Sequence, residues 1–423
     1  MKKNLAVIIL AAGKGERMKS EIPKVLHSLC GRPMLGYVLD LAQKLKINPA
    51  ITVLGYKQKL VRSFLPKGVK LVIQKNIAGT GDAVKTALIS LKNFQGTVLI
   101  LYADIPLLTQ ETIKKLIRYH IDNKSDCTLL TAKIDKPLGY GRILRDKYEY
   151  ISGIVEEKDA DDFQKEIKEI NTGIVCFNKE KLAQALRKIR PNNRKKEYYL
   201  TDAINIIYKN GGLVESVQVA DYQEAMGINS RLDLALANKL MQKRINEKLM
   251  KNGVTLVDPD SALISYDSRI GSDTVIYPFT VIEKNVRIGK HCSIGPFIRL
   301  RAGTVLEDSV TAGNFLEISR SRLSSKTLIK HFGYIGDARI GRSVNIGAGS
   351  VTANYDGVNK NKTIIKDNAF IGSDTVMVAP VKIGKKAVTG AGTVVLKNRD
   401  VPDNGVVAGV PAKPIKKTSY NKK

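Results

Sequence analysis

The run Leu10-Ala11-Ala12-Gly13-Lys14-Gly15-Glu16-Arg17-Met18, followed by Pro23-Lys24, places two glycines and then two cations behind a short apolar segment. Glycine lets backbone N–H groups come close to an anion, and Arg17 and Lys24 add charge, so the chemistry on offer is phosphate binding. It is not the dinucleotide fingerprint, because Met18 stands where the third glycine of G-x-G-x-x-G belongs, and no Walker sequence is present. A second candidate lies far downstream. His331, one of only four histidines, precedes Tyr334, Ile335-Gly336-Asp337, Asn345-Ile346-Gly347-Ala348-Gly349 and Thr352-Ala353-Asn354-Tyr355-Asp356-Gly357. An imidazole with a pKa near ~6.5 can take up a proton at neutral pH. Cys30, Cys127, Cys176 and Cys292 form no C-x-x-C pair, so neither a zinc site nor a disulfide framework is indicated. Scattered thiols fit a reducing cytosol, and a cytoplasmic protein is expected.

The elements that must position these residues fall into two rhythms. Up to about residue 228, short β-rich runs (Leu5 to Leu10, Ala50 to Leu54, Lys70 to Ile73, Thr97 to Tyr102) alternate with helical patterns (Val38 to Leu45, Lys57 to Phe64, Gly81 to Leu91, Glu111 to Asp122). That order predicts an α/β domain of Rossmann-like type, a mostly parallel sheet covered on both faces, with ligands beyond the carboxyl ends of the strands. Met1-Lys2-Lys3 before Leu5 to Ala12 has a trace of a signal peptide, but the apolar run is short and a Gly-rich turn follows at once, so a buried strand is expected. Leu232, Leu234, Leu236, Leu240, Ile245 and Leu249 sit among polar residues and predict one helix ended by Gly253.

Beyond Gly253, aliphatic residues recur every six positions: Ile264, Ile270, Ile276, Ile282, Ile288, Ile294 and Leu300, then Ile340 and Ile346, then Ile365, Ile371, Met377 and Ile383. Hexapeptide periodicity is the mark of a parallel β-helix, whose stacked coils bury one continuous core. The expected organisation is 1–229, an interdomain helix at 230–252, and a hexapeptide-repeat domain with a basic tail at 253–423.

Composition bounds the function. The 423 residues are 43% hydrophobic and 26% charged, a globular profile with a prior of two or three domains. No apolar stretch is long enough for a transmembrane helix. Lys+Arg outnumber Asp+Glu by 69 to 40, a net charge of +29, which favours an anionic partner. The lysines are spread along the chain and Trp is absent, which argues against nucleic acid and leaves a phosphorylated small molecule or a compositional trade of Arg for Lys throughout the chain.

The glycine-rich turn is followed in order by Gln74 with Gly79-Thr80-Gly81, Tyr102-Ala103-Asp104, Gly139-Tyr140-Gly141-Arg142, Ile154-Val155-Glu156, Glu169-Ile170-Asn171-Thr172-Gly173, Glu197-Tyr198-Tyr199-Leu200-Thr201-Asp202 and Gly227-Ile228-Asn229-Ser230-Arg231. This succession resembles the family of bifunctional bacterial N-acetylglucosamine-1-phosphate uridyltransferase / glucosamine-1-phosphate acetyltransferase enzymes, from about residue 5 to about residue 400. The resemblance implies that Leu10, Ala11, Ala12, Gly13 and Lys24 contact the nucleotide, and that Gln74 and Thr80, with Gly79, read the uracil. It implies that Tyr102, Ala103 and Asp104 line the site, that Asp104 and Asn229 hold Mg²⁺, and that Gly141, Glu156 and Asn171 hold the sugar. The sugar's phosphate would attack the α-phosphorus of UTP and release pyrophosphate. Both reactants are anionic, so Mg²⁺, Arg17 and Lys24 would stabilise the transition state without a covalent nucleophile.

For the second domain the resemblance implies a left-handed β-helix that acetylates glucosamine-1-phosphate. His331 would be the general base, oriented by Glu317; Arg301, Tyr334 and Asn345 would bind the acceptor; Ala348, Asn354, Tyr355, Ser373 and Ala391 would contact acetyl-CoA. Residues 355 to 362 break the register and would help build the site between subunits of a homotrimer. The implied partners are therefore small molecules and further copies of the chain, with neither membrane nor nucleic acid.

Three departures from the family pattern stand out. Ser319 replaces a lysine that grips the acceptor's phosphate, and a one-residue step to Arg320 along a strand would point to the other face. Gly409 stands where a late arginine meets the cofactor's phosphates, leaving Lys413, Lys416 or Lys417 to supply charge. The prism is about one coil shorter at its start. An alternative reading keeps the nucleotidyltransferase and makes the β-helix an oligomerisation or regulatory module, or a transferase for another acceptor. A third makes the chain a scaffold that has lost the chemistry.

Overall fold

The computed structural model describes residues 4–66, 68–194 and 196–415; Met1, Lys2, Lys3, Lys416 and Lys417 lie outside the described residues. The chain forms two compact units, Met1–Asn238 and Lys239–Lys423. The helix Arg231–Lys251 is continuous across that division.

The first unit is built on β1 (Leu5–Ala11), β2 (Ala50–Leu54), β3 (Lys70–Ile73), β4 (Thr97–Tyr102), β5 (Cys127–Lys133), β6 (Arg142–Arg145), β7 (Ile151–Val155), β8 (Glu169–Asn178) and β9 (Val214–Gln218). The main order is β9-β5-β8-β4-β1-β2-β3. Pairs β1–β2, β1–β4, β2–β3 and β5–β9 are parallel, whereas β8 runs antiparallel to β4 and β5. The main order is thus mostly parallel, with one reversed strand near its middle, and off that order β7 runs antiparallel to β6.

Strand β1 reads LAVIILA because both its faces are covered. Val7, Ile9 and Ala11 enter one core with helix Met34–Lys44 (Val38, Leu41) and helix Gln110–Asp122 (Ile113, Leu116). Ala6, Ile8 and Leu10 enter the other with helix Thr80–Leu88 (Ala83, Val84) and helix Lys179–Lys188 (Leu182, Ala185). The period-two alternation of the strand assigns each side chain its core. The helix expected at Val38 starts earlier, at Met34, because Pro33 (φ −56°) takes the position before it. The pattern expected over Gly81 to Leu91 ends as an α-helix at Leu88 and finishes as a tighter turn, Ile89–Leu91.

The second unit is a left-handed parallel β-helix of three sheets with ten, eight and seven strands. Partners lie 18 residues apart in the early coils, as in Leu263↔Val281 and Arg269↔Arg287. The six-residue aliphatic positions point inward; Ile264, Ile276, Ile282, Ile294 and Leu300 are at most 1% exposed. Two coils then tighten to 17 residues, as in Glu317↔Tyr334, by losing a residue between Ile318 and Leu323 and between Ile335 and Ile340. One coil widens to 25, as in Arg339↔Ile364, because a loop leaves the prism after Ala353. In helix Arg231–Lys251 the expected leucine stripe is only half used. Leu234 and Leu249 are buried, whereas Leu232 is 83% exposed, since a two-residue step on a helix turns away from the packed face. Asn246 Nδ2 donates to the carbonyls of Pro259 and Ala262, and Gln242 Oε1 accepts from Ile264 N–H, so the helix's last turns are tied to the first coil. No helix among the described residues is long and apolar enough to cross a membrane.

Candidate active sites

The first site lies beyond the carboxyl ends of β1 to β4, where the main chain of each strand hands over to a loop. Leu10, Ala11 and Ala12 are buried, and the next residue, Gly13, faces open space. Its backbone is free to be approached closely. Gly15 (φ 68°) answers a different constraint. A Cβ there would lie 2.5 Å from the Lys24 Cβ, so only glycine lets Lys24 fold in beneath the turn. Ala103 N–H donates to the Leu10 carbonyl (3.0 Å), which locks the end of β4 to the end of β1 and sets Asp104 opposite the turn. Arg17 is exposed and makes no hydrogen bond or ion pair among the described residues.

Lys24, Asp104 and Asn229, separated by 80 and 205 positions along the chain, converge. The Lys24 ammonium donates to Asp104 Oδ2 and, at 3.1 Å, to Asn229 Oδ1. Ile228 N–H donates to the Asp104 carbonyl (2.9 Å), and Asn229 N–H to Asp233 Oδ2 (2.9 Å), so the 227–229 segment is pinned to the sheet edge. The paired carboxylate and amide oxygens thus already hold one cation. Such a pair fits Mg²⁺, a hard ion that keeps several waters and takes its other ligands from phosphates. Among the described residues no group of three or more His, Cys, Asp or Glu could hold a metal.

Among the residues expected to read the base, Gln74 is 3% exposed, with Nε2 donating to the Gly79 carbonyl (3.1 Å) and Asp82 Oδ2 (2.8 Å). Gly79 (φ 114°) packs on the backbone of Tyr198, where a Cβ would stand 2.5 Å from the carbonyl oxygen. Tyr198 N–H donates to Ala78 and its carbonyl accepts from Gly81, while Thr80 Oγ1 accepts from Leu200 N–H. Among the residues expected to hold the sugar, Asn171 N–H donates to the Gly141 carbonyl (2.8 Å) and Asn171 Oδ1 accepts from Gly173 N–H. Glu156 Oε1 accepts from the Thr201 hydroxyl (3.2 Å). Burial, and then the nearby Glu156 and Asp104 charges, push the Tyr102 phenol well above its ordinary range, so it stays a neutral donor.

Arg142, next to Gly141, supports the expected sugar-binding turn although its sequence gives no role for it. It is 1% exposed and donates to the carbonyls of Tyr140 and Lys165, and it pairs with Glu157 at 2.7 Å. A charge buried this deeply needs such partners. It binds the Gly141 turn to the segment behind Glu156. A charged residue opening an apolar strand was the one available signal.

In the second unit the expected acetyl-transfer residues meet along one corner of the prism. Glu317 and Tyr334 are register partners on neighbouring strands, and Arg301 Nη1 donates to Glu317 Oε1 (3.0 Å). His331 is exposed at the turn before Tyr334. Among the described residues no hydrogen bond joins Glu317 to His331. Gly349 N–H donates to the Phe332 carbonyl (2.8 Å), Asp374 N–H to Ala348 (2.7 Å), and Gly392 N–H to Ser373 (2.8 Å). His331, Ala348, Ser373 and Ala391 therefore mark four successive coils at the same corner. Asn345 stands on the adjoining sheet, whose strand enters that corner. Asn354 is buried, with Nδ2 donating to Asp337, and anchors the loop that carries the exposed Tyr355.

The expectation that Arg320 points away is corrected by the backbone. The strand Leu316–Ser319 ends one residue earlier, and Arg320 (φ 48°) sits in a turn where strand alternation no longer applies. Its guanidinium folds back over Ser319, bonding Asp337 through Nε (2.7 Å) and Nη2 (2.8 Å), and the Ser319 hydroxyl through Nη1 (2.8 Å). At the far end of the corner, Lys413 pairs with Ala408, next to Gly409.

The fold and its two sites define a nucleotidyltransferase joined to a hexapeptide-repeat acyltransferase. The MobA-like NTP transferase domain family matches residues 7–169, the bacterial transferase hexapeptide family residues 267–297, and the hexapeptide repeat of succinyl-transferase residues 362–397. The chain is 43% identical to the bifunctional protein GlmU of Thermosipho africanus, covering 96% of this chain and 94% of that protein. It is 41% identical to the bifunctional protein GlmU of Alkaliphilus metalliredigens, over 96% and 95%, and 41% identical to that of Geobacillus thermodenitrificans, over 98% and 96%. The chain belongs to the GlmU family.

Proposed function

We propose that the chain makes UDP-N-acetylglucosamine in two steps: acetyl transfer from acetyl-CoA to glucosamine-1-phosphate at the prism corner, then uridylyl transfer from UTP at the sheet edge, releasing pyrophosphate. The observation that carries this is the convergence of Lys24, Asp104 and Asn229 beside the open Gly13 turn.

At the first site the Gly13 backbone receives the triphosphate, and Gln74, Gly79 and Thr80 hold the base. Gly141, Glu156 and Asn171 fix the sugar so that its phosphate oxygen faces the α-phosphorus. Lys24 then follows the charge that builds on the phosphoryl oxygens, with Arg17 closing from solvent. Asp104 and Asn229 would hold Mg²⁺, which when bound neutralises phosphate charge.

At the second site Arg301 and Arg320 bind the acceptor's phosphate, with Arg320 serving in place of a cation at position 319. His331 accepts a proton from the amine as nitrogen attacks the thioester carbonyl and the coenzyme thiol leaves. Glu317 acts through Arg301, holding the acceptor site. Asn345 and Tyr334 orient the sugar; Ala348, Asn354, Tyr355, Ser373 and Ala391 line the coenzyme's course, and Lys413 meets its phosphates.

We also propose a homotrimer in the cytoplasm. The outward row of the ten-stranded sheet, from Val275 through Thr311 and Leu328 to Phe370 and Val388, is uncharged and suits contact with another copy. Cys30, Cys127, Cys176 and Cys292 are thiols, the state a reducing compartment maintains.

The test supplies glucosamine-1-phosphate, acetyl-CoA, UTP and Mg²⁺, and follows thiol and pyrophosphate separately. Both products are expected. His331→Ala should abolish thiol release and leave pyrophosphate release from ready-made N-acetylglucosamine-1-phosphate intact. Full acetyl transfer by this variant would refute the assignment of the base.

A further inference from the structure

The cations that lie scattered in the sequence are stacked by the β-helix. On the seven-stranded sheet, consecutive coils place Arg269, Arg287, Arg322, Arg339 and Lys382 in one outward row, with Val305 and Ile364 at the two remaining rungs. All five cations are exposed. Strands lie about 4.8 Å apart, so the row is a straight line roughly 29 Å long. Arg322 pairs with Glu307 (2.6 Å); the side chains of Arg269, Arg287, Arg339 and Lys382 make no hydrogen bond or ion pair among the described residues. Like charges at successive rungs repel, which makes the row costly to the free prism.

Composition does not account for the row, because the same prism keeps its other faces clear of it. The corresponding row of the ten-stranded sheet carries no charged residue from Thr255 to Val406, and that of the eight-stranded sheet carries only Arg299 and Glu317. A second copy therefore offers no acidic face to complement it, and face to face the two rows would set Arg against Arg. The partner must be a foreign polyanion. Its shape follows from the row, a straight line one side chain wide, bordered by turns of mixed sign that hold Asp267, Asp273, Asp308 and Asp367 together with Lys290, Lys326, Arg342 and Lys366. A planar anionic surface would meet acids as well as cations there, whereas a linear polyanion lying along the row meets its unbroken file of outward positions, which holds no acid.

We propose that this face binds the phosphodiester backbone of single-stranded nucleic acid, without base preference, since contacts to phosphate carry no sequence information. Binding should be measured by fluorescence anisotropy with a labelled oligo-dT of about thirty nucleotides, on the full chain, from low to moderate salt. The logarithm of affinity is expected to fall by about 0.7 per phosphate contacted for each logarithm of salt, near ~3.5 for five contacts. Arg287→Glu with Arg339→Glu should weaken binding at least tenfold at the lowest salt and flatten the slope, with both transferase activities unchanged. If that pair fails to fold, Arg269→Gln with Lys382→Gln makes the same test at the ends of the row. Absence of oligonucleotide binding at about 50 mM salt, or affinity indifferent to these changes, would overturn the proposal. So would binding to phosphatidylglycerol vesicles that these changes abolish while binding to oligo-dT survives them.

Discussion

Replacing Lys24 by Met should do two opposite things. Lys24 holds Asp104 Oδ2 and Asn229 Oδ1 together, and its side chain is only 13% exposed. A divalent ion seeking those oxygens in the nucleotide-free protein must first displace the ammonium. A unit pair at about 4 Å is worth between ~1 kcal/mol in water and ~4 kcal/mol near a protein surface. At about 1.4 kcal/mol per factor of ten, removing that competitor should tighten metal binding by between about fivefold and several hundredfold. The same change removes a charged donor from the transition state, where one such donor contributes about 3–4 kcal/mol, so uridylyl transfer should fall by about 10²–10³. Mn²⁺ paramagnetic resonance on the nucleotide-free protein reads the first effect, and pyrophosphate release reads the second. Lys24→Met binding Mn²⁺ no more tightly than the parent chain would refute the reasoning, because the ammonium would then not share the metal's ligands. Asp104→Asn supplies the control and should lose Mn²⁺ in either background.

Gly79→Ala forces a side chain to φ 114° and 2.5 Å from the Tyr198 oxygen; a loss of about 2 kcal/mol in urea unfolding and a raised KM for UTP are expected. Arg320→Ala should raise KM for glucosamine-1-phosphate about tenfold or more with a smaller change in kcat, and Arg320→Lys should recover part of it; equal KM values would remove Arg320 from the acceptor site. His120 is buried against Thr128 (2.9 Å), and burial lowers its pKa from 6.5 to about 4. Between those values the unfolded chain holds a proton that the folded chain does not, so this stability is complete above pH ~6.5 and is lost as pH falls toward ~4. Its upper bound is about 3 kcal/mol, and His120→Gln should flatten unfolding free energy across that window.

The alternation of apolar strands with helical patterns was legible because a parallel sheet must be apolar on both faces, and Ala50–Leu54, Lys70–Ile73 and Thr97–Tyr102 stand where the runs predict them. The reversed strand Glu169–Asn178 was not legible, because strand composition carries no direction. Arg142 escaped notice for a related reason: its partners are main-chain carbonyls and Glu157, and a carbonyl has no sequence identity. Arg320 was misread because alternation was extended one residue past the end of a strand.

The sequence by itself determined the two rhythms, the six-residue core positions and the residue types able to bind phosphate, because periodicity and side-chain chemistry are local properties. Only the tertiary structure decided which of them meet. Lys24 finds Asp104 and Asn229 because a parallel sheet brings the ends of its strands to one edge. Arg269, Arg287, Arg322, Arg339 and Lys382 become a single row because each coil returns the chain to the same face one strand spacing on. Charge acts through distance in space, and the spacing along the chain does not contain it until the coils are closed.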